Sequence, residues 1–248
     1  MKALITGASS GIGRDIARAL SARGYDLIIT ARREDKLLEL KNELNTDVRI
    51  ITADLSDKNE CMRLHSEAGD VDVLINNAGY GVFGAFDKTD LAQELNMLDL
   101  NILSVHILTK LFLHDFIRKN SGHILNVSSS AAFMPGPLFS SYYASKAYVL
   151  RLTESIHEEL VKAKSNVHIS ALCPGPVNTE FSSTAGVQFA MGGLSSRYVA
   201  EYAVKKMLAG KTVIVPGAIM KCARFFAKLL PESLIAKATY HIQKSKQK

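Results

Sequence analysis

The chain has 248 residues, 47% of them apolar, which suffices for a sizeable core and excludes a globally disordered protein. The formal net charge of +6 is uneven: residues 211–248 carry eight Lys/Arg and one Glu, whereas residues 1–210 carry 22 basic and 23 acidic side chains. A neutral body without a basic face or binding motif excludes nucleic acid as a partner, and three scattered cysteines, Cys61, Cys173 and Cys222, exclude a disulfide framework.

In chain order, short apolar runs alternate with helical patterns. Strands are expected at Lys2–Thr6, Asp26–Ala31, Val48–Ala53, Val71–Asn76, His123–Ser128, Val167–Cys173 and Thr212–Val215. Helices are expected at Gly11–Ala22, Glu34–Leu44, Lys58–Ala68, Leu91–Lys119, Tyr142–Lys164 and Ser196–Ala209. The strand runs are continuously apolar rather than alternating, the pattern of a parallel sheet covered on both faces. Strand-helix alternation throughout predicts a single α/β domain, a doubly wound, Rossmann-type seven-stranded parallel sheet with helices on both faces, over residues 1–215. A basic helical extension, residues 216–248, follows. No run near the N-terminus reads as a signal peptide and none approaches the ~20 apolar residues of a membrane span, so a cytoplasmic location is expected. None of the seven His residues stands in metal-ligand spacing with Cys, Asp or Glu, and no metal is expected.

The first strand runs into Thr6-Gly7-Ala8-Ser9-Ser10-Gly11-Ile12-Gly13. Glycines there permit a tight turn and a close backbone approach to a pyrophosphate, and the following helix offers unpaired N–H groups at its positive end. The second strand ends Thr30-Ala31-Arg32-Arg33, where an NAD-binding chain would place a carboxylate for the ribose. A carboxylate repels a 2′-phosphate and a guanidinium pairs with it, so NADPH/NADP+ is favoured over NAD, with Arg32 as the clamp beside Arg33. The alternative is that both arginines are a solvated pair opening the next helix.

These features, with several further motifs in order, resemble the short-chain dehydrogenase/reductase family over about residues 2–215. Thr6-Gly7-x-x-x-Gly11-x-Gly13, including Ser9, Ser10 and Ile12, is similar to the family's cofactor loop. Asp54-Leu55 resembles its adenine-contacting pair, and Asn76-Asn77-Ala78-Gly79 its fourth-strand signature. Asn101 stands where the family has a helix Asn. Ser129 stands thirteen residues before Tyr142, and Tyr142-x-x-x-Lys146 resembles the active-site motif. Pro174-Gly175, with Val177 and Thr179, resembles the loop on the nicotinamide side.

Tyr142 and Lys146 are four apart and share a helix face. A free tyrosine titrates near 10, and an ammonium beside it, with a cationic oxidised nicotinamide, is expected to lower that value toward the working range of an acid-base catalyst. Ser129 can hydrogen-bond a substrate oxygen as charge develops. The resemblance implies an enzyme that reduces a carbonyl to an alcohol, or the reverse. Tyr142 is then the proton donor, Lys146 holds the ribose, Ser129 orients the substrate, and Asn101 organises a water that reloads the proton. The alternative is a catalytically silent NADP(H)-binding regulator or a membrane-associated member.

Loops beyond the strand ends are apolar: Tyr80, Val82, Phe83 and Phe86, then Phe133, Met134, Leu138 and Phe139. The segment 181–195 adds Phe189 and Met191, with Gly186, Gly192 and Gly193, and in the family acts as a lid. A bulky apolar small-molecule carbonyl or alcohol substrate is expected, the alternative being ordinary core or subunit contacts. The extension reads as two helical stretches, Ala218–Leu230 and Glu232–Gln243, parted by Pro231. Packing over the substrate site or a neighbouring subunit is preferred to contact with a membrane. The resemblance implies a homodimer or homotetramer through Leu100–Lys119 and Tyr142–Lys164.

Overall fold

The computed structural model describes residues 1–181, 193–227 and 229–245. Its strands are β1 (Lys2–Thr6), β2 (Asp26–Thr30), β3 (Val48–Ile50), β4 (Val73–Asn76), β5 (Gly122–Val127), β6 (Val167–Leu172), β7 (Val177–Asn178), β8 (Leu194–Ser195) and β9 (Val213–Ile214). Its helices are α1 (Gly11–Ser21), α2 (Glu34–Glu43), α3 (Lys58–Ala68), α4 (Leu91–Leu98), α5 (Ser104–Lys119), α6 (Ser140–Lys162), α7 (Ser196–Leu208), α8 (Ala218–Ala227) and α9 (Glu232–Lys244). Seven strands form one parallel sheet in the order β3-β2-β1-β4-β5-β6-β9.

The continuously apolar strands are explained by two cores. Successive side chains of a strand point to opposite faces. Ala3 and Ile5, Leu27 and Ile29, and Val73 and Ile75 enter one core with Ile16 and Leu20 of α1 and Val199, Ala203 and Met207 of α7. Leu4, Ile28, Leu74 and Ile124 enter the other with Leu64 of α3 and Leu108, Phe112 and Phe116 of α5. A polar residue at any of these strand positions would face an apolar layer.

Three departures from the expected elements have local causes. A π-helical turn, Asp99–Leu103, divides the run 91–119 into α4 and α5; periodicity counts apolar spacing and passes over one extra residue per turn. The short parallel ladder of β7 and β8 brackets residues 182–192 and was not expected, because two-residue strands carry no pattern. Leu91–Lys119 also contains an 18-residue window of mean hydropathy 1.3, long and apolar enough to cross a bilayer, contrary to the expectation of no such stretch. Its Phe112 and Phe116 are buried against the sheet.

The extension bends back on the domain. Met220 of α8 packs beside Gly175, and Arg224 lies over the Phe133 ring and 3.6 Å from Glu154. In α9, Ile235, Thr239 and Gln243 form a buried stripe spaced four residues apart, and the Thr239 hydroxyl donates to Pro135 O at 2.9 Å.

Phe116 is fully buried where α5 turns into β5, and Gly122, at φ +148°, leaves room for its ring; a Cβ there would stand 2.4 Å from Phe116 Cγ. Phe116→Ala is expected to destabilise the fold by about 3–5 kcal/mol through the cavity it leaves. The check is a urea unfolding curve, and a midpoint equal to wild type would contradict the packing described.

Candidate active site

The cleft lies at the carboxyl ends of the strands, where β1 separates β2 from β4 and the strand order reverses, the place such sheets bind ligands. Its volume is about 570 Å³. Hydrogen bonds between β1 and β4 shape its floor. Thr6 Oγ1 accepts from the N–H groups of Asn77 (2.9 Å) and Ala78 (3.0 Å), and Asn77 Nδ2 donates to Thr6 O (2.9 Å) and Gly7 O (3.1 Å). Gly7 has φ +65°, and a side chain there would meet Asn77 Nδ2 at 2.8 Å. Gly7, Ser9, Ser10, Gly11 and Ile12 line the cleft. Gly13 does not: it lies behind the loop, where a Cβ would fall 2.3 Å from Asn77 Nδ2 and 2.4 Å from Gly7 O. Its place in the motif reflects close packing rather than ligand contact.

The start of α1 suits an anion. Ser10 at its N-cap makes no capping bond and the first turn has no acid, so the first N–H groups of the helix keep their positive end for a ligand. A pyrophosphate fits this cradle.

At the end of β2, Arg32 is largely exposed and 3.7 Å from Asp54, whose Oδ1 accepts from Ser56 N and Oγ. Arg33 Nη2 donates to Ser9 Oγ (3.2 Å) and to Glu180 Oε2 (2.8 Å), and holds the Glu180 carboxyl below its usual value. The arginines therefore flank the cleft, Arg33 already tied to the phosphate loop. Asp54, Leu55, Asn77, Ala78, Gly79, Pro174, Gly175, Val177 and Thr179 line it too.

At the other end stand Ser129, Tyr142 and Lys146. Ser129 follows β5 and caps a 3-10 turn, its Oγ accepting from Ala131 N at 3.1 Å. Tyr142 and Lys146 lie one turn apart on α6, both buried. The Tyr142 ring stacks on Phe139 at 4.4 Å and meets Phe181 at 5.4 Å, and Lys146 Nζ lies 5.8 Å from its centroid. Lys146 Nζ donates to Val127 O at 3.1 Å. A Cβ on Gly79 would stand 3.3 Å from Lys146 Nζ and 2.7 Å from Asn101 Oδ1, so position 79 admits no side chain without moving one of them.

Burial governs both titrations. It brings the Lys146 ammonium down to about 8. It also pushes the Tyr142 phenol up, against a hydrogen bond with Ser129 that lowers it. The expected lowering of Tyr142 by its lysine does not prevail in the protein alone, because taking a phenolate out of water costs more than these partners return.

Asn101 stands between the Tyr80 loop and α6. It sits in the π-helical turn, fully buried, and does not line the cleft. Its Nδ2 donates to Tyr80 O (2.9 Å) and Ser145 Oγ (3.1 Å), and its Oδ1 accepts from Tyr80 N (3.1 Å). With both donors used, its amide anchors the Tyr80 loop to α6.

Of the apolar loop residues, Tyr80, Phe139 and Phe181 line the cleft. Val82 and Phe83 pack behind it, Phe133 joins a separate cluster, and Phe86 is exposed. The lid residues Gly186, Phe189, Met191 and Gly192 lie outside the described residues. Sequence reasoning missed Glu180, Asn96, Tyr143 and Gln243, which also line the cleft. For Gln243 the only signal was its register with Ile235 and Thr239. Among the described residues no group of His, Cys, Asp and Glu could hold a metal ion.

An unfolded lysine binds its proton up to about 10.4; Lys146 in the folded protein releases it near 8. Between these values the unfolded chain holds more protons, so Lys146 lowers stability as pH falls through this window, and the cost is complete below about 8. Lys146→Met is expected to raise Tm by several degrees at pH 7, less whatever the lost bond to Val127 O removes, and the gain should shrink toward pH 10.5. Thermal unfolding of both proteins across that range checks this; a pH-independent difference would refute it.

The family model for short chain dehydrogenases matches residues 1–188. An uncharacterized oxidoreductase of Staphylococcus epidermidis is 31% identical over 191 residues, covering 75% of this chain and 81% of that one. Among solved structures, a short-chain dehydrogenase from Sphingobium yanoikuyae in complex with NADPH superposes with a TM-score of 0.82 at 27% identity, covering 92% of this chain and 93% of that one. A short chain dehydrogenase/reductase from Burkholderia phymatum in complex with NAD superposes with a TM-score of 0.83 at 25% identity, covering 90% and 91%. With the phosphate loop, the Tyr-x-x-x-Lys pair and the reversal of strand order at one cleft, the chain belongs to the short-chain dehydrogenase/reductase family, as an NAD(P)-dependent oxidoreductase.

Proposed function

We propose that this oxidoreductase uses NADPH to reduce the carbonyl of a bulky apolar ketone, and that it runs in reverse on the alcohol. The observation that carries the reading is the buried Tyr142, hydrogen-bonded to Ser129, one helical turn from Lys146, in a cleft whose far end is flanked by Arg32 and Arg33. The dinucleotide is held by the loop 7–12, by Asp54-Leu55 and Asn77–Gly79, and by Pro174, Gly175, Val177 and Thr179; once bound it supplies the hydride.

The protein supplies the rest. The raised Tyr142 phenol is a proton donor at neutral pH, and its Oη gives its proton to the substrate oxygen. The Ser129 hydroxyl donates to that same oxygen and stabilises the charge that gathers there. Lys146, with its ammonium near 8, is protonated at pH 7 yet gives up its proton readily, so it can return one toward Tyr142. Asn101 positions Tyr80 and Ser145 and thereby α6. Phe139 and Phe181 wall the substrate end and exclude water from the developing alkoxide. Exposed Leu95, Ile117, Tyr148 and Val161 on α4–α6 support a homodimer across these helices; a monomer mass by light scattering would refute it.

NADPH consumption against a panel of bulky aryl and alicyclic ketones is the direct assay. Tyr142→Phe is expected to lower kcat at least ~100-fold while NADPH affinity stays within a few-fold. Equal kcat in the variant would remove Tyr142 from the chemistry. Arg32→Ala and Arg33→Ala are each expected to raise the KM for NADPH about tenfold or more and to leave the KM for NADH little changed, one charge-assisted pair being worth roughly 1.5–3 kcal/mol. Wild-type kcat/KM equal for the two cofactors would refute the NADPH assignment.

A further inference from the structure

The helix α8 is turned inside out relative to an ordinary surface helix, which lays its apolar stripe on the core. It buries none of its residues. The side it presents to the domain carries Met220 beside Gly175, and Arg224 over the Phe133 ring and near Glu154. At 100° per residue the opposite side carries Ile219, Cys222 and Phe226 in one row, with Phe225 next to it. Ile219, Phe225 and Phe226 are 57% to 65% exposed, and the two phenylalanine rings meet edge to face at 5.7 Å. The turn that ends the helix, held by Leu229 N and Leu230 N donating to Phe226 O, adds two leucines, also exposed. On α9, Leu234 and Ile242 are exposed and share a face with Ala238 between them.

A contiguous apolar surface of this kind marks a place of contact, and the charge around it says with what. Residues 211–248 hold eight Lys/Arg and one acid, Glu232. Lys221 flanks the apolar face of α8 and lies 5.7 Å from the centroid of Tyr202 on α7; Lys206 lies over the same ring at 5.8 Å. Lys237 and Lys244 are exposed on α9. The nearby acid of α7, Glu201, is engaged by Arg197 at 3.0 Å. A second copy docked on this face across a two-fold axis would set the cations against their own images. A lipid surface bearing phosphate takes both features at once: phenylalanine and leucine enter the boundary between headgroups and acyl chains, and the lysines pair with the anionic headgroups.

We propose that the outer face of α8, with the basic side chains around it, is a docking surface for an anionic lipid bilayer, and that the protein lies on such a bilayer without spanning it. Catalysis at Tyr142 is not invoked, so the proposal stands or falls apart from the reading of the substrate.

The test is co-sedimentation of the full-length protein with sucrose-loaded vesicles, either phosphatidylcholine alone or phosphatidylcholine and phosphatidylglycerol in equal parts. Wild type is expected to bind the anionic vesicles about tenfold or more tightly than the neutral ones, and to lose most of that advantage between ~0.1 M and ~1 M salt. The double substitution Phe225→Glu, Phe226→Glu is expected to weaken binding to anionic vesicles at least ~10-fold while NADPH affinity is unchanged. Lys221→Gln with Lys237→Gln, which leaves the apolar face intact, is expected to weaken binding to anionic vesicles severalfold and to leave neutral vesicles unaffected, and it serves as the variant if the phenylalanine pair does not fold. Wild type that binds neither vesicle, or binds both equally, overturns the proposal with no variant needed. So does undiminished binding in the phenylalanine variant. A lower mass by light scattering for that variant than for wild type, without lipid, makes the face a contact between copies of the chain and overturns the proposal as well.

Discussion

The constraint that organises the site is the removal of Lys146 from water. A lysine that is 5% exposed, its ammonium donating among the described residues to Val127 O alone, is an expensive thing to fold around. The neighbourhood is arranged to tolerate it. Position 79 carries no side chain, so nothing crowds Nζ. Ser128, at the end of the same strand, donates to Lys146 O, which fixes the α6 backbone under the side chain. The lowered titration that results is the property the proposed chemistry would use. A lysine solvated at the surface would hold its proton too firmly to pass it on near neutrality.

A second row of polar groups lies beneath this one and keeps the strands and helices in register. Asn76 at the end of β4 donates to Thr109 of α5 and to Asn126 of β5, and Asn126 donates to Thr153 of α6. All four side chains are buried. Each bond is worth about 1 kcal/mol net, but leaving any partner alone costs more. The network therefore discourages any slip of α6 against β4 and β5, and such a slip would carry Tyr142 and Lys146 away from Ser129. Together with the Thr6–Asn77 bonds across β1 and β4, it makes the cleft floor one connected unit.

The parts legible in the sequence are those whose physics is local. The two-faced burial of β1, β2 and β4 writes itself as unbroken apolar runs, and the helical spacing of Tyr142 and Lys146 requires only the helix. The glycine loop was legible as a loop. The separate duty of Gly13 was not, because it depends on Asn77, which arrives from another strand 64 residues later. Asn101 was readable as a position but its anchoring bonds were not, for the same reason: its partners, Tyr80 and Ser145, belong to other elements. The partnership of Arg33 with Glu180 spans 147 positions, and no pattern of spacing announces it. Titration was the remaining blind spot. Pairwise chemistry suggested a lowered Tyr142, whereas the degree of burial, a property of the whole fold, raised it.

The extension adds to the cleft wall a side chain that the sheet does not supply. The sheet, the phosphate loop and the α6 pair are all built from residues before 216. α8 follows that logic, burying none of its residues. α9 does not, since its buried stripe ends on the cleft wall. A helix attached by a few buried contacts can change its inward residues without disturbing the sheet, whereas a change at Ser129 or Lys146 would disturb both fold and chemistry. The residues facing inward from α9 can therefore vary at the cleft wall while Ser129, Tyr142 and Lys146 stay in place.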